Sequence, residues 1–458
     1  MITKTIAEIN AMINGDLYLN DIDSNKQVKG ISIDSRNVTP GNIYLAIRGA
    51  KADGNDYSAN ALAAGAALII SDNADKMIDG VAYIIVEDSI KALQELATAY
   101  RKCLRGKVIG ITGSNGKTSC KDILAAALSA TYKTQKTMGN HNNELGVPLT
   151  ILSFDEDSEC LIVEMGMEQQ GDIHFLKAMS APDIGIVTNV GTAHLLTFKT
   201  MDNIGRGKLE MMDVLADNQL FIYKGDDAIL SRMILEKDQR RLEVKTFGNK
   251  ATNDLYLKDF KQSGDGICFK TNESDYEFKL KILGRHQADN ALAAILVAHH
   301  LGLNNNQIQA GFDTLENTGM RNELIRINKC LILDDSYKSN PQSAKAALAT
   351  FEGFKAPYKL VVMGDMLDLG PDTQQIHYQL GKDALDYTFD EFLGYGELSK
   401  KMIEGVEDNS NRKCVYFETH EALFNYLKPY LNTDCMILFK GSRGMALDKV
   451  IALLKGEQ

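Results

Sequence analysis

The clearest chemical signal in the chain is a glycine-bounded segment, residues 113–118. It follows an apolar run at 108–112 and precedes an amphipathic run at 120–128. A strand, a glycine turn and a helix form a phosphate-binding loop, because backbone N–H groups and the helix N-terminus close on phosphate oxygens. We therefore predict that a nucleoside triphosphate binds at Gly113, Ser114, Asn115, Gly116, Lys117, Thr118 and Ser119, with Mg²⁺ within reach of the Thr118 hydroxyl.

Two further apolar runs, 160–164 and 184–188, read as buried strands of the same region. Helical patterns alternate with them, which favours a mostly parallel, doubly wound sheet with its chemistry beyond the carboxyl ends of the strands. Glu164 closes the first of these runs. We predict that Glu164 is a Mg²⁺ ligand, and the alternative is a solvated strand end.

Polar clusters also close three apolar runs near the C-terminus, at 330–334, 359–363 and 436–440. We expect these strand ends to meet at one sheet edge and to form a site. Lys440, Ser442 and Arg443 could bind a substrate carboxylate there, or could simply be a basic strand end. We further expect this third domain to close over the nucleotide held by the second.

The first hundred residues alternate short β-type runs with helical patterns and read as a small α/β domain. Asp34, Ser35 and Arg36 follow one strand, and Asp53 sits in a turn. From spacing alone these residues are equally well explained as turns with a surface ion pair. The predicted fold is α/β in three domains: a small α/β domain at 1–102, a central parallel-sheet ATPase-type domain at 103–314 and a Rossmann-like domain at 315–458.

Composition narrows the class of protein. The chain has 458 residues, 44% of them hydrophobic and 24% charged, as in soluble globular proteins. A net charge of −11 argues against a general nucleic-acid binder. The seven cysteines show no C-x-x-C spacing, which suits reduced thiols in a cytoplasm. No signal-peptide pattern and no apolar run of membrane-spanning length is evident, so we expect a cytoplasmic protein without membrane insertion.

Taken together, the motifs resemble those of the Mur ligases, ATP-dependent amide-forming enzymes of peptidoglycan precursor synthesis. The resemblance covers all three domains. It is carried by segments 34–36, 53–54, 112–118, 139–148, 164–166, 189–194, 208–210, 284–290, 321, 334–341 and 364–366. Within the family, the C-terminal signatures resemble those of the member that adds D-alanyl-D-alanine to a UDP-N-acetylmuramoyl tripeptide. The chain departs from the usual pattern at Lys338-Ser339, where Asn-Ala is usual, and at Leu209 and Met320, where glycine is usual.

The resemblance implies the reaction and the charged groups that serve it. A peptide carboxylate attacks the ATP γ-phosphate to form an acyl phosphate, and the amine of D-alanyl-D-alanine then displaces phosphate. Lys117 would hold the β- and γ-phosphates, and Arg321 would reach the γ-phosphate from the third domain. Thr118 and Glu164 would hold one Mg²⁺, and His194 a second, although a lone histidine after a strand is more often structural.

Lys208 is implied to be carbamylated by CO₂, because an ammonium group has only donors and cannot bind a cation. The alternative is an ordinary surface lysine. The remaining implied contacts are His286, Asn290 and Asp335 to the adenosine, Asn142, Asn143, Tyr337 and Asn340 to the peptide substrates, and Ser35, Arg36 and Asp53 to the uridine nucleotide.

Two other functions stay open at the level of sequence. The nearest is the related ligase that adds lysine or diaminopimelate to the UDP-muramoyl dipeptide, which would be expected to carry an Asp-Asn-Pro-Arg segment that this chain lacks. A nucleotide-binding switch without ligase activity would not need Glu164, His194 and Lys208 together. A monomer is the expected state.

Overall fold

Three large β-sheets follow one another along the chain in the computed structural model, which describes residues 1–237, 241–316 and 319–456. The first is a five-stranded sheet in the order β2-β7-β6-β5-β4, and β1 pairs with β3 beside it. The strands are β1 Thr3–Thr5, β2 Asp16–Tyr18, β3 Gln27–Lys29, β4 Ile31–Ser32, β5 Ile43–Leu45, β6 Leu68–Ser71 and β7 Ala82–Ile85, and the helices are α1 Ile6–Ile13, α2 Ser58–Ala63 and α3 Ser89–Arg101. The predicted runs in this region are therefore confirmed as strands and helices.

The second sheet has nine strands in the order β16-β15-β14-β13-β12-β11-β8-β10-β9. Its strands are β8 Lys107–Thr112, β9 Thr134–Lys136, β10 Cys160–Glu164, β11 Ile184–Val187, β12 Leu220–Lys224, β13 Glu243–Gly248, β14 Leu255–Ser263, β15 Gly266–Thr271 and β16 Ser274–Leu280. Its helices are α4 Lys117–Ser129, α5 Gly146–Ser153, α6 Asp172–Ser180, α7 Leu195–Phe198, α8 Met201–Leu209, α9 Ala228–Leu235, α10 Arg285–His300 and α11 Asn305–Phe312.

This sheet is parallel from β9 to β14, whereas β14, β15 and β16 form an antiparallel meander that the sequence patterns had not indicated. β8 lies between β10 and β11, so the order of the strands reverses at β8. Open α/β sheets bind ligands at the carboxyl ends of the strands at such a switch point. One helix prediction needs correction. The alanine-rich run at 290–300 predicts a helix that begins at Asn290, whereas α10 already starts at Arg285.

The third sheet runs β17-β18-β22-β19-β20-β21 and is parallel except for β17. Its strands are β17 Glu323–Ile327, β18 Cys330–Asp335, β19 Tyr358–Gly364, β20 Glu391–Tyr395, β21 Lys413–Phe417 and β22 Cys435–Lys440, and its helices are α12 Pro341–Glu352, α13 Thr373–Ala384, α14 Ser399–Glu407, α15 His420–Leu427 and α16 Leu447–Lys455. Asp335 pairs with Lys440, and Lys440 pairs with Met363. The three polar strand ends therefore do meet at one edge.

Hydrophobic side chains fill both faces of the second and third sheets, as parallel sheets covered by helices require. Within the described ranges, no helix is both long and apolar enough to cross a bilayer.

Candidate active site

A cavity of about 1280 Å³ opens at the carboxyl ends of β8, β10 and β11 and is closed on its far side by the third sheet's loops. Most of the predicted site residues line it: Ser114, Asn115, Gly116, Lys117, Thr118, Ser119, Asn142, Asn143, Glu164, His194, Lys208, His286, Asn290, Arg321, Asp335 and Tyr337. The structure thus brings together residues that are up to 223 positions apart in the chain (from 114 to 337).

The loop after β8 has a backbone that only glycine can follow at two points. Gly113 has φ +152°, and a Cβ there would lie 1.8 Å from Thr188 Oγ1. Gly116 has φ +80°, and a Cβ there would lie 2.8 Å from Asn290 Oδ1. Because α4 begins directly at Lys117, its free N–H groups face the cavity. The loop therefore has the geometry of a phosphate cradle.

The segment after β11 braces this loop from the side. The Ser114 N–H donates to the Asn189 carbonyl, and the Asn115 N–H to Asn189 Oδ1, both at 3.0 Å. Thr188 Oγ1 donates to the Asn115 carbonyl at 2.6 Å. The sequence placed Thr188 and Asn189 only at a strand end, and a bracing role could not be read from their spacing. These bonds hold the loop in shape before any ligand arrives.

Lys117 stays close to the loop that carries it, with its Nζ donating to the Gly113 carbonyl at 2.6 Å. Burial lowers the pKa of Lys117 to about 8; the charges of Lys338 and Arg321 also lower it, while Glu164 raises it. Bound phosphate would supply the counter-charge that this ammonium group lacks. Lys117 is therefore positioned as a phosphate-binding cation.

Glu164 offers an acceptor for a cation at the end of β10. Its side chain is 1% exposed, and Asn142 Nδ2 donates to Oε1 at 2.8 Å. Oε2 has no hydrogen-bond partner among the described residues, and Lys121 Nζ lies 3.7 Å from it. A buried carboxylate oxygen without a donor is costly unless a ligand completes it. Asn142 is thus a partner of Glu164 as well as a candidate peptide contact.

Lys208 lies on α8 and is only 2% exposed, so the surface-lysine alternative is wrong. Within residues 1–237, 241–316 and 319–456, no acceptor lies within hydrogen-bond distance of its Nζ and no carboxylate forms an ion pair with it. Burial, and then the charges of Lys117 and Lys338, hold the pKa of Lys208 well below the ordinary 10.5. Burial without a partner thus favours the neutral, nucleophilic form of this amine, which lines the cavity.

His194 precedes α7 in a left-handed backbone conformation, with φ +63°. Burial, together with the charges of Lys338, Lys117 and Lys208, lowers the pKa of this histidine to about 4, although Asp172 opposes them. Its ring is therefore neutral at physiological pH, which is the state that can donate an electron pair to a metal. Among the described residues, no group of three or more His, Cys, Asp or Glu side chains could hold a metal unaided. A cation here would need ligands from the substrates as well.

The third sheet's loops touch the phosphate loop directly. Asn340 Nδ2 donates to Asn115 Oδ1 at 2.7 Å, and Thr192 Oγ1 donates to Gln342 Oε1 at 2.9 Å. The Arg321 guanidinium lies 4.2 Å from the centre of the Tyr337 ring, and both residues line the cavity.

Met320, just before Arg321, has φ +59°, in the region that favours glycine. This conformation accounts for the glycine that is usual at this position in the family that the sequence resembles.

Lys440 is not a free carboxylate receptor. It is 2% exposed, pairs with Asp335 Oδ2 at 2.8 Å and donates to the carbonyls of Asp335 at 3.2 Å and Lys338 at 2.5 Å. Arg443 pairs with Asp448 at 3.0 Å. The role of Lys440 is therefore to hold the loop after β18. The sequence had indicated either carboxylate binding or a basic strand end, and neither describes this role.

The remaining predicted residues divide into two groups. His286 accepts from Asn322 Nδ2 at 3.2 Å, and Asn290 Nδ2 donates to Gln287 Oε1 at 3.0 Å, both beside the loop.

Ser35, Arg36 and Asp53 do not line the cavity. Arg36 pairs with Asp34 at 2.7 Å and its side chain is 86% exposed, while Asp53 pairs with Lys76 at 2.9 Å. Their contacts agree with local ion pairs, and their uridine-binding role stays a prediction.

The fold and the site together define an α/β enzyme of three domains, in which loops of the third sheet cover the phosphate loop of the second. Three family descriptions match in chain order: "Mur ligase family, catalytic domain" at residues 27–101, "Mur ligase middle domain" at 111–298 and "Mur ligase, glutamate ligase domain" at 320–443. The chain belongs to the Mur ligase family and is an ATP-dependent amide ligase.

The individual relatives indicate which member of the family the chain resembles. The chain is 33% identical, over 98% of both chains, to the UDP-N-acetylmuramoyl-tripeptide–D-alanyl-D-alanine ligase of Bacillus subtilis. Among solved structures, it resembles MurF from Acinetobacter baumannii with a TM-score of 0.89 and 27% identity over 100% of this chain and 99% of the other. It also resembles the MurF ligase of Thermotoga maritima in complex with ADP, with a TM-score of 0.82 and 26% identity over 94% and 98% of the two chains.

Proposed function

We propose that this protein joins D-alanyl-D-alanine to a UDP-N-acetylmuramoyl tripeptide, using ATP and passing through an acyl phosphate. The observation that carries the proposal is the concentration of positive charge beside an unpartnered carboxylate oxygen of Glu164, at a glycine loop shaped for phosphate. Its full-length relatives named for this reaction support the choice of substrates.

The main difficulty of the reaction is the repulsion between an anionic carboxylate and an anionic phosphate. The basic residues of the cavity reduce this repulsion. Lys117 and the free N–H groups at the start of α4 bind the phosphates and neutralise the charge that builds up between the β- and γ-positions. Arg321 reaches the same region from the third sheet, so the site is complete only when the two domains are together. Asn340 and Asn115 join the domains at this point.

Thr118 and Glu164 fit a Mg²⁺ site, because the Glu164 Oε2 is buried and lacks a donor. Bound there, Mg²⁺ would polarise the phosphoryl oxygens and offset their charge. His194, neutral, would hold a second Mg²⁺.

Lys208 suits carbamylation because only a neutral amine reacts with CO₂. The product is an anion that could bind a cation, and neighbouring Lys117 and Lys338 would stabilise it.

We propose the following division of labour. Residues 1–102 bind the UDP-muramoyl peptide through Ser35, Arg36 and Asp53, and residues 103–314 bind ATP, with His286, Asn290 and Asp335 at the adenosine. Residues 315–458 receive D-alanyl-D-alanine near Tyr337 and Asn340, and Asn142 and Asn143 contact the peptide. We further propose a monomer that works in the cytoplasm, where ATP and the UDP-linked precursor are made.

The test is phosphate release from ATP by the purified full-length chain, with and without each peptide substrate, and with mass spectrometry of the product. We expect turnover only when UDP-muramoyl tripeptide and D-alanyl-D-alanine are both present, with an amide product. Turnover with the dipeptide precursor and a free diamino acid would instead establish the related ligase. ATP hydrolysis that ignores every peptide substrate would favour a nucleotide switch.

A further inference from the structure

Lys338 is the one exposed residue in the segment from Asp334 to Asn340, between β18 and α12. Its neighbours Ser336, Ser339 and Asn340 are 3–4% exposed. Its own carbonyl is held by Lys440, and the Tyr337 N–H donates to the Met320 carbonyl at 3.2 Å. The backbone at Lys338 is therefore fixed while its side chain extends into the active-site cavity.

Three other basic side chains that line this cavity are paired with carboxylates of the protein. Lys224 pairs with Asp289 at 2.6 Å, Lys440 with Asp335 at 2.8 Å and Arg443 with Asp448 at 3.0 Å. By contrast, no carboxylate or other acceptor is bonded to Lys338 Nζ in the part of the chain that the structure describes. An ammonium group held in a cavity without a counter-ion is ready to bind an anion.

The surroundings of Lys338 indicate which anion. Its charge acts on Lys117, His194 and Lys208, three groups on the central sheet's side of the cavity. Asp335, the nearest carboxylate along its own segment, is neutralised by Lys440. Lys338, Lys117 and Arg321 line one space with the His194 ring, and such a group of cations favours a ligand with more than one negative charge, such as a phosphoryl group.

We propose that Lys338 is a further phosphate-binding residue, which contacts the phosphoryl group transferred from ATP and then the acyl phosphate. The inference deepens the function proposed above and rests on it. Lys117 approaches the phosphoryl group from the central domain, and Lys338 approaches it from the third domain. Because Asn340 ties this segment to Asn115 of the phosphate loop, the ammonium group arrives only when the domains meet.

The test uses two substitutions at one position and a control elsewhere. Lys338→Met keeps the length of the side chain and removes the charge, and Lys338→Arg keeps the charge. Lys449→Met removes a charge that is also exposed, on α16 and away from the cavity. The measurements are steady-state ligation and the burst of ADP formed from ATP and UDP-muramoyl tripeptide when D-alanyl-D-alanine is left out.

Loss of a charge-assisted contact that strengthens in the transition state predicts a fall of about 10- to 100-fold in both the ADP burst rate and kcat for Lys338→Met. The KM for D-alanyl-D-alanine should stay unchanged, Lys338→Arg should recover most of the rate, and Lys449→Met should match the wild type. An unchanged ADP burst with a raised KM for D-alanyl-D-alanine would overturn the inference in favour of an acceptor-carboxylate contact. Unchanged kinetics in every respect would also overturn it. Wild-type enzyme that makes no amide product would refute the proposed function itself, and the inference with it.

Discussion

Replacing Lys208 by methionine should separate stability from activity, because the two depend on different states of the same amine. The side chain is 2% exposed, and its Nζ lacks a hydrogen-bond acceptor among the described residues. Burial lowers the pKa of Lys208 well below the ordinary 10.5, so at pH values below 10.5 the folded protein bears a free-energy cost for enclosing an amine that would be protonated in water. Methionine fills the same space without that cost.

The pH dependence has a definite sign. Between the folded pKa of Lys208, which is lowered, and the ordinary 10.5, the unfolded chain holds a proton that the folded chain does not. The free energy of unfolding of the wild type therefore rises by about 1.4 kcal/mol per pH unit in that window from this group alone. Lys208→Met should lack this rise, so its advantage should be largest near neutral pH and should shrink as the pH approaches 10.5.

Urea unfolding in CO₂-free buffer at several pH values, together with ligation assays, measures both effects. We expect Lys208→Met to be at least as stable as the wild type near pH 7.5 and to ligate at least about 100-fold more slowly. Lys121→Met is the matched control. Lys121 is also 2% exposed, but it donates to the Gly139 carbonyl at 3.0 Å and lies 3.7 Å from Glu164, so its loss should destabilise the fold. Destabilisation by Lys208→Met, or full activity, would refute the reasoning.

Two further changes probe the phosphate loop. Gly113→Ala should abolish ATP-dependent turnover in a phosphate-release assay, because its Cβ would lie 1.8 Å from Thr188 Oγ1. The control Gly110→Ala should keep most of the activity, because its Cβ would meet the flexible ends of methionine side chains at 3.1 Å. Similar losses in the two variants would show that the loop is not the sensitive element. Asn115→Ala removes the 2.7 Å hydrogen bond from Asn340 but keeps the backbone N–H. Loss of about 1 kcal/mol of binding free energy should weaken ATP binding about fivefold in calorimetric titration. Unchanged affinity would mean that this contact does not help to close the site.

Much of the architecture could be predicted because it is written in local patterns. Apolar runs with glycine and polar residues at their ends located β8, β10 and β11, and the rule that parallel strands share a carboxyl edge placed Glu164 beside the phosphate loop. The antiparallel meander β14–β16 was missed, because β14 and β16 mix buried with exposed residues and each contains several charged side chains. The start of α10 was placed too late, because its first turn is polar.

The roles of individual side chains were harder to predict than their positions. Thr188 and Asn189 brace the phosphate loop through bonds to Asn115 and Ser114, which lie more than 70 residues away in the chain. The sequence left Lys440 either as a carboxylate-binding residue or as part of a basic strand end, yet its ammonium group pairs with Asp335 on the neighbouring strand. Partners of this kind depend on sheet register, which spacing along one strand does not reveal.

The sequence by itself determined the phosphate loop, the order of the three α/β units and the family, because glycine turns, apolar runs and motif residues are properties of contiguous segments. Only the tertiary structure decided which lysines are free to bind a ligand and which are paired within the protein. Lys121 and Lys440 are paired, Lys208 is buried without a partner, and Lys338 is held by its backbone with its ammonium group free in the described structure. The physical reason is that the charge state and the availability of an amine depend on burial and on neighbouring charges, and folding brings these from distant parts of the chain.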